Sequence, residues 1–388
     1  MYFIDTSFNS LIKYGEELCG DHIEQARLND CTILVLSDGL GSGVKANILA
    51  TLTSKIAVTM LKNGSTLEET IDTIVHTLPV CSERHLAYST FTIIKIYNDG
   101  RGYAAEFDNP FIFLIRNGQT VPLKREKREL NGKTIYECSF VMDEYTLLVA
   151  VSDGVVHAGV GRSLDLGWQW ENVDKFIKNI DISANAFDVT NSVLKECGKL
   201  YEDMAGDDTT VLSIKMKEQE TINLFTGPPK NPAKDYDIIK EILSSEGKVV
   251  VCGGTTANIV ARSLGAELEV DLSTMTQELP PIGKIPGVEL VTEGVITINK
   301  ALEIMRDYVD PNKNDIAVKK LRERNSASML ASIIIEKCDR LNMWVGQAVN
   351  PVHQNPKYPM DFQFKMNQLK EFASVARQMG KTVNVVFI

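Results

Sequence analysis

An apolar run that ends in Ser-Asp-Gly occurs at two widely separated places in this chain, as LVLSDGLG around Asp38 and as VAVSDGVV around Asp153. A strand that closes on Asp-Gly hands the chain to a tight turn, because aspartate bonds its own backbone and glycine accepts a positive φ. One such ending is only a turn. Two copies, with Gly206-Asp207-Asp208 entering a further strand and Gly20-Asp21 ahead of the first, set four acidic points at strand ends that can converge.

The rest of the first half fits a fold that brings strand ends together. CTILVLS, from Cys31, is a short β-branched run that reads as a buried strand. Ala46, Leu49, Ala50, Ile56, Ala57, Met60 and Leu61 then recur at helical spacing up to a stop at Gly64, and with both flanks apolar or small this helix is expected to be buried. Ser65 and Thr66 each precede a glutamate by three residues, Glu68 and Glu69, a capping-box signature for a second helix running toward Pro79. From Ser89 the period becomes two: STFTIIKIY, a turn at Asn98-Asp99-Gly100, GYAAEF and FIFLIRNGQ predict an antiparallel meander. Two more strands, EYTLLVAVS and TTVLSIKM, flank helical sequence around DVTNSVLKECGKL. Strands and helix pairs without strict alternation imply two sheets packed face to face and covered by helices.

Composition shifts over 217–235, where Gly227, Pro228, Pro229 and Pro232 interrupt a charged stretch, and the domain boundary is placed there. Beyond it strand and helix alternate from GKVVVCGG and TTANIVARSLG to the terminal KTVNVVFI, which predicts a smaller α/β domain over residues 222–388 after a first domain over 1–217. The length supports two or three domains at about 150 residues each.

With 41 basic against 51 acidic residues, a net charge of -10 and no basic run beyond a pair, the chain lacks the footprint of a nucleic-acid binder. Seven cysteines, Cys19, Cys31, Cys81, Cys138, Cys197, Cys252 and Cys338, form no C-x-x-C pair and suit a reducing cytoplasm. No stretch approaches the roughly 18 consecutive apolar residues of a bilayer span, so no membrane partner is expected.

Aspartates that converge cannot all stay bare anions, because like charges a few ångströms apart raise one another's pKa until a proton or a cation intervenes. All-oxygen ligands select hard ions, Mg²⁺ or Mn²⁺, and five scattered histidines without H-E-x-x-H spacing argue against zinc. Two such ions would activate a bridging water for in-line attack on phosphorus. The reaction implied is phosphate-ester hydrolysis.

Gly20-Asp21, Leu36-Ser37-Asp38-Gly39 with Gly41-Ser42-Gly43 and the following helix, Val151-Ser152-Asp153-Gly154, and Gly206-Asp207-Asp208-Thr209-Thr210-Val211 together resemble the ordered motifs of the SpoIIE-like branch of the metal-dependent type 2C (PPM) protein phosphatases, over about residues 1–217. The resemblance implies an α+β fold, a four-layer α-β-β-α sandwich, with two Mn²⁺ or Mg²⁺ ions at one edge and hydrolysis of phosphoserine or phosphothreonine on a protein. It puts Asp38 and the Gly39 carbonyl at the centre of the metal site, matches Asp153 and Asp207 to the second metal and Asp21 to the acid on the first strand, and adds Asp208 as a neighbour. Asp38, Asp153 and Asp207 are the expected catalytic residues. The helix after Asp38 resembles the region by which this branch is switched. One departure concerns the substrate phosphate, which longer members hold with an early arginine; this chain has none before Arg27.

In the second domain Cys252-Gly253-Gly254-Thr255-Thr256 joins a strand to a helix. Its free amides and hydroxyls suit a small anion, although a Thr cap explains the same residues. Asp271 sits about where a ribose-binding acid would, a position equally common for a strand-end aspartate. His353, in the proline-punctuated loop Asn350–Pro356, is a further ligand-contact candidate. The alternating cluster Lys124–Glu129 reads as a solvated hairpin face, and Trp168 and Trp170 as core or flap residues. The expectation is a cytoplasmic, metal-dependent serine/threonine phosphatase acting on a phosphorylated regulatory protein, with a C-terminal regulatory or partner-binding domain and a homodimer left open. Two rivals stand beside it: a metal-dependent hydrolase of a small phosphate ester, and a non-catalytic module that binds phosphoproteins or a ligand through Gly253–Thr256. Retention of all four acidic positions tells against the second.

Overall fold

The computed structural model describes residues 2–28, 30–77, 89–130, 133–310, 313–348 and 362–388. The chain divides into two compact units, Met1–Glu218 and Gln219–Ile388. His353 and its loop lie outside the described residues.

In the first unit β1 (Tyr2–Leu11), β2 (Asp21–Arg27) and β3 (Cys31–Gly39) precede α1 (Gly43–Lys62) and α2 (Leu67–Thr77). Then follow β4 (Ser89–Tyr97), β5 (Arg101–Phe107), β6 (Phe113–Arg116), β7 (Gln119–Thr120), β8 (Glu126–Leu130), β9 (Lys133–Val141) and β10 (Thr146–Val151). The short α3 (Asp153–Val156), α4 (Trp170–Lys178), α5 (Ala186–Leu200) and β11 (Thr209–Glu218) complete it. The strands form two antiparallel sheets, ordered β1-β11-β10-β6-β7 and β2-β3-β4-β5-β9-β8.

Alternation along the central strands builds four layers. Leu34 and Leu36 of β3 meet Leu148, Ala150, Leu212 and Ile214 of the other sheet in one buried cluster, while Ile33 and Val35 point outward to Ala57, Val58 and Ile71 of α1 and α2. Val149, Val151 and Val211 likewise turn their outer face to Val173, Ile177 and Val193 of α4 and α5. The first unit is therefore an α-β-β-α sandwich whose middle strands are buried on both faces, each large apolar side chain contributing about 1.5–3 kcal/mol.

Several local expectations change. The predicted meander breaks after β5, because β5 pairs with β9 whereas β6 crosses to the other sheet and pairs with β10. The helix α1 is not buried all round. It lays Ala46, Ala50 and Ala57 on the sheet, contacting β2, β3, β4 and α2, and leaves Val44, Ile48 and Leu52 at 59%, 51% and 47% exposure. By length and composition alone α1 is also long and apolar enough to cross a membrane. The capping box is formed by Thr66 and Glu69, whose backbone amides each donate to the other's side chain, at 2.8 and 3.2 Å. Arg125 is not solvated: it donates to the buried Glu106 (2.8 Å) and stacks 4.1 Å from the Phe111 ring centroid. Trp168 is core, and Trp170 stacks on Phe113 with centroids 4.6 Å apart.

The second unit opens with β12 (Thr221–Thr226), inside the segment read as the linker. TINLFT is wholly buried, so the proline run after it is a loop within this unit. Next come α6 (Asp235–Ser244), β13 (Lys248–Cys252), α7 (Gly254–Leu264), β14 (Glu269–Asp271), β15 (Ile282–Lys284), β16 (Leu290–Thr292) and α8 (Val295–Val309). The chain ends with α9 (Asn314–Lys320), α10 (Ser326–Glu336), β17 (Arg340–Val345), α11 (Phe362–Gln378) and β18 (Thr382–Phe387). The sheet order is β14-β15-β16-β13-β12-β17-β18, with β16, β13, β12, β17 and β18 parallel. Taken in chain order those five stand as 3-2-1-4-5, the doubly wound arrangement, whose switch point falls between β12 and β17.

Candidate metal centre

Every acidic motif of the first unit ends at the same edge of the sandwich. Asp21 at the start of β2 is the cross-strand partner of Asp38 near the end of β3. Asp153 opens α3 directly after β10, and Asp207-Asp208 lead into β11, which pairs with β10 and β1. Ser37 and Ser152, the serines of the two Ser-Asp-Gly endings, are buried anchors. Ser37 Oγ lies 2.6 Å from Ser89 Oγ, whose hydroxyl also reaches the Asp38 carbonyl (2.9 Å), and Ser152 Oγ accepts from the Thr210 amide at 2.8 Å.

The glycines of these motifs serve close approach. A Cβ on Gly39 would lie 2.1 Å from the Ala46 carbonyl oxygen, so glycine there lets α1 sit on the end of β3. A Cβ on Gly154 would lie 2.1 Å from the Asp208 carbonyl oxygen, and one on Gly20 would lie 2.8 Å from Asp208 Oδ2. Three glycines thus pull three acidic segments onto one spot.

The electrostatics record that crowding. Burial, then the charges of Asp21, Asp153, Asp207 and Asp208, push Asp38 up to about 9. Burial pushes Asp21 up to about 7, with Asp208 and Asp153 adding to it. Burial and Asp207 raise Asp153, while His157 opposes the shift. The Thr210 and Ser152 hydroxyls lie near enough to Asp21 to ease its ionisation, Thr210 also meeting Ser10 at 2.7 Å and Ser152 also accepting from the Thr210 amide. Among the described residues both Asp21 carboxylate oxygens and Asp208 Oδ2 are buried with no hydrogen-bond partner at bonding geometry. Orphaned carboxylate oxygens in a crowd of like charge fit a hard divalent cation. Among the described residues no group of three His, Cys, Asp or Glu side chains stands at ion-holding spacing, so the acids are gathered without being closed into a cage.

Asp21, Asp38, Asp153, Asp207 and Asp208 therefore share one locality, with Gly39 beside Asp38. Gly253, Gly254, Thr255 and Thr256 belong to the other unit. Three residues at the acid cluster escaped the sequence reading. The Lys13 amide donates to Asp208 Oδ1 (3.0 Å) and its ammonium stands 3.5 Å from Asp207 Oδ1. Cys19, its thiol pushed up to about 12 mainly by burial and also by Asp21 and Asp208, borders the cluster. The Tyr201 hydroxyl donates to the Gly154 carbonyl at 2.7 Å. No spacing rule marks Lys13, because its place depends on β1 pairing with β11 across the length of the unit.

With this geometry in hand, the comparisons define the class of domain. The family model described as Stage II sporulation protein E (SpoIIE) matches residues 29–217. Over those residues the first unit is therefore similar to a SpoIIE domain. Among solved structures, the PP2C phosphatase domain with a fragment of the regulatory domain of SpoIIE from Bacillus subtilis is 19% identical, with a TM-score of 0.48, and the match takes in 56% of this chain and 64% of that one. RsbX in complex with magnesium is 18% identical over 55% of this chain and 96% of that one, with a TM-score of 0.41. The S. agalactiae serine/threonine phosphatase is 14% identical over 55% and 99%, also at 0.41. This chain thus spans less than two thirds of the first of these. No curated protein matches it in sequence.

Proposed function

We propose that the first unit hydrolyses phosphoserine or phosphothreonine on a protein in the cytoplasm, with two Mn²⁺ or Mg²⁺ ions held by Asp21, Asp38, Asp153, Asp207 and Asp208 and the Gly39 carbonyl. The observation that carries this reading is the Asp38 carboxyl, pushed up to about 9 amid four further aspartates, with both Asp21 carboxylate oxygens buried and lacking a hydrogen bond among the described residues. When bound, the ions supply charge neutralisation and an activated water. The chain's own share is to hold the acids. Ser89 and Ser37 fix the end of β3 beneath Asp38, Tyr201 fixes the α3 turn beneath Asp153, and Lys13 supplies a positive charge beside Asp207. The second unit then serves regulation or partner binding.

The test is turnover of phosphoserine and phosphothreonine peptides beside a panel of small phosphomonoesters, in EDTA and after adding back Mn²⁺, Mg²⁺ or Ca²⁺. Peptide turnover should vanish in EDTA and return with Mn²⁺ or Mg²⁺ better than with Ca²⁺, which takes longer bonds and more ligands. Turnover of the small esters alone would transfer the reading to a small-molecule hydrolase, and turnover indifferent to EDTA would remove the metal from it.

A further inference from the structure

In the second unit the chain leaves β12 toward β13 and β16 on one side and returns to β17 and β18 on the other. In open parallel sheets ligands bind beyond the carboxyl ends of the strands, and the exits of β12 and β13 lie on that edge, on the β13 side of the switch point between β12 and β17.

The helix α7 begins at Gly254 after the N-cap Gly253, whose φ of 130° no ordinary side chain adopts readily. Capping by threonine does not hold at Gly253–Thr256, because the N-cap is Gly253 and among the described residues no side chain caps this helix. Thr256 is 1% exposed, its Oγ1 has no hydrogen-bond partner, and that oxygen lies 3.1 Å from where a Gly253 Cβ would stand, so it faces the open N-terminus. The start of α8 adjoins it: a Cβ on Gly294, the N-cap of α8, would lie 3.4 Å from Gly253 Cα. Two helix N-termini, each carrying a partial positive charge, are thereby side by side. Glu293 answers the second of them, its carboxylate accepting from the Ile296 amide at 3.1 Å, and the start of α7 is left without such an acid.

Lys365 of α11 reaches back to the same strand ends. Its ammonium nitrogen is 2.7 Å from where a Gly227 Cβ would stand, at the exit of β12, and it lies within electrostatic range of Cys252 at the exit of β13. Adjacent strands run about 4.8 Å apart, so the two exits border one crevice. Lys365 has no hydrogen-bond or ion-pair partner among the described residues, and burial holds its pKa below the ordinary lysine value. The Cys252 thiol cannot answer the charge, since burial pushes it up to about 12 and keeps it neutral. Space is left as well, for a Cβ on Gly254 would meet nothing within 4 Å.

We infer that this crevice binds the phosphate group of a small molecule, held by the amides at the start of α7, the Thr256 hydroxyl and the Lys365 ammonium. Several donors converging from different elements suit a tetrahedral dianion better than a planar carboxylate.

The test is calorimetric titration of the full chain in EDTA, so that metal-bound phosphate in the first unit makes no contribution, with inorganic phosphate and ADP as separate probes. At least one probe should bind. Lys365→Gln and Gly254→Val should each weaken that binding tenfold or more without moving the unfolding temperature, since Lys365 has no described partner to lose and Gly254 has room. Thr256→Val should weaken it, and Thr256→Ser should restore it. Phosphate binding as tightly as ADP would assign the site to free phosphate, and tighter ADP to the phosphate of a larger molecule. Absence of binding by both probes, or binding that all three weakening variants leave unchanged, would overturn the inference. Neither result bears on hydrolysis by the first unit, whose acids lie elsewhere.

Discussion

At Asp38 the same property, a carboxyl forced into the company of four others, makes opposite demands with and without a cation. Asp38→Asn removes the charge and keeps the volume, so metal-dependent turnover should fall more than a hundredfold, over about 2.7 kcal/mol in the barrier, while the metal-free protein melts at a higher temperature than wild type. Retention of more than a tenth of kcat would put Asp38 outside the metal centre. The pH dependence follows from the same crowding. Asp38 and Asp21 both stand above the ordinary 3.8, at about 9 and about 7, so protonation favours the folded metal-free state. That stabilisation is complete below 3.8 and is lost as the pH rises through about 7 and then about 9. Melting in EDTA should therefore occur at a lower temperature near pH 9 than near pH 6, and saturating Mn²⁺ should erase the difference; a flat profile in EDTA would contradict the crowding. Lys13 makes a separate case. With its ammonium only 3.5 Å from Asp207 and partly open to solvent, it would be the cation placed to meet a substrate phosphate if the acids hold an ion as proposed. Lys13→Met should raise KM for a phosphopeptide about tenfold with kcat changed far less, and an equal fall in both would give Lys13 a role in the chemical step instead.

Between elements, the contact that matters most is α1 on the end of β3. Gly39→Ala would drive a methyl into the Ala46 carbonyl, 2.1 Å away, and because that oxygen is backbone the helix must move. Loss of activity with only a modest fall in melting temperature is expected, since α1 can lift while the two-sheet core stays; unaltered turnover would separate the helix from the site. The glycine itself was legible in the sequence, as were the four acidic strand ends, because a motif that repeats at strand termini survives without knowledge of the fold. What was not legible depended on partners distant in the chain. The β6 strand reads as the next arm of a meander, yet its apolar residues Phe113 and Ile115 belong with α4 and α5, so it joins the sheet they cover. Alternation in TINLFT is hidden because both faces of β12 are buried, and the prolines behind it dominate the local reading. The outward row Val44, Ile48 and Leu52 on α1 looks like core by composition, since spacing gives the faces of a helix but not which one the sheet takes. Arg125 reads as solvent-facing until Glu106, buried on β5, supplies its counter-charge.

For the molecule as a whole, each apolar cluster among the described residues falls within one unit. The apolar clusters described for the sandwich draw only on residues between Ile4 and Met216, and the cluster described for the second unit draws only on residues from Phe225 onward. The joint between Glu218 and Gln219 falls just past the end of β11, and the outermost register pair of the sandwich, Tyr2 with Glu218, lies wholly on the near side of it. A chain ending at Glu218 consequently retains every strand pairing, every cluster residue and all five aspartates of the acid centre. It should unfold in one cooperative transition and turn over a phosphopeptide with a kcat within about threefold of the full chain, a difference under roughly 0.7 kcal/mol. Circular dichroism on heating and a peptide phosphatase assay with Mn²⁺ check the two statements together. A fragment that melts cooperatively but loses more than tenfold in kcat would show that the second unit shapes the acid centre in the active state, whereas a fragment that fails to melt cooperatively would show that the sandwich borrows stability from across the joint.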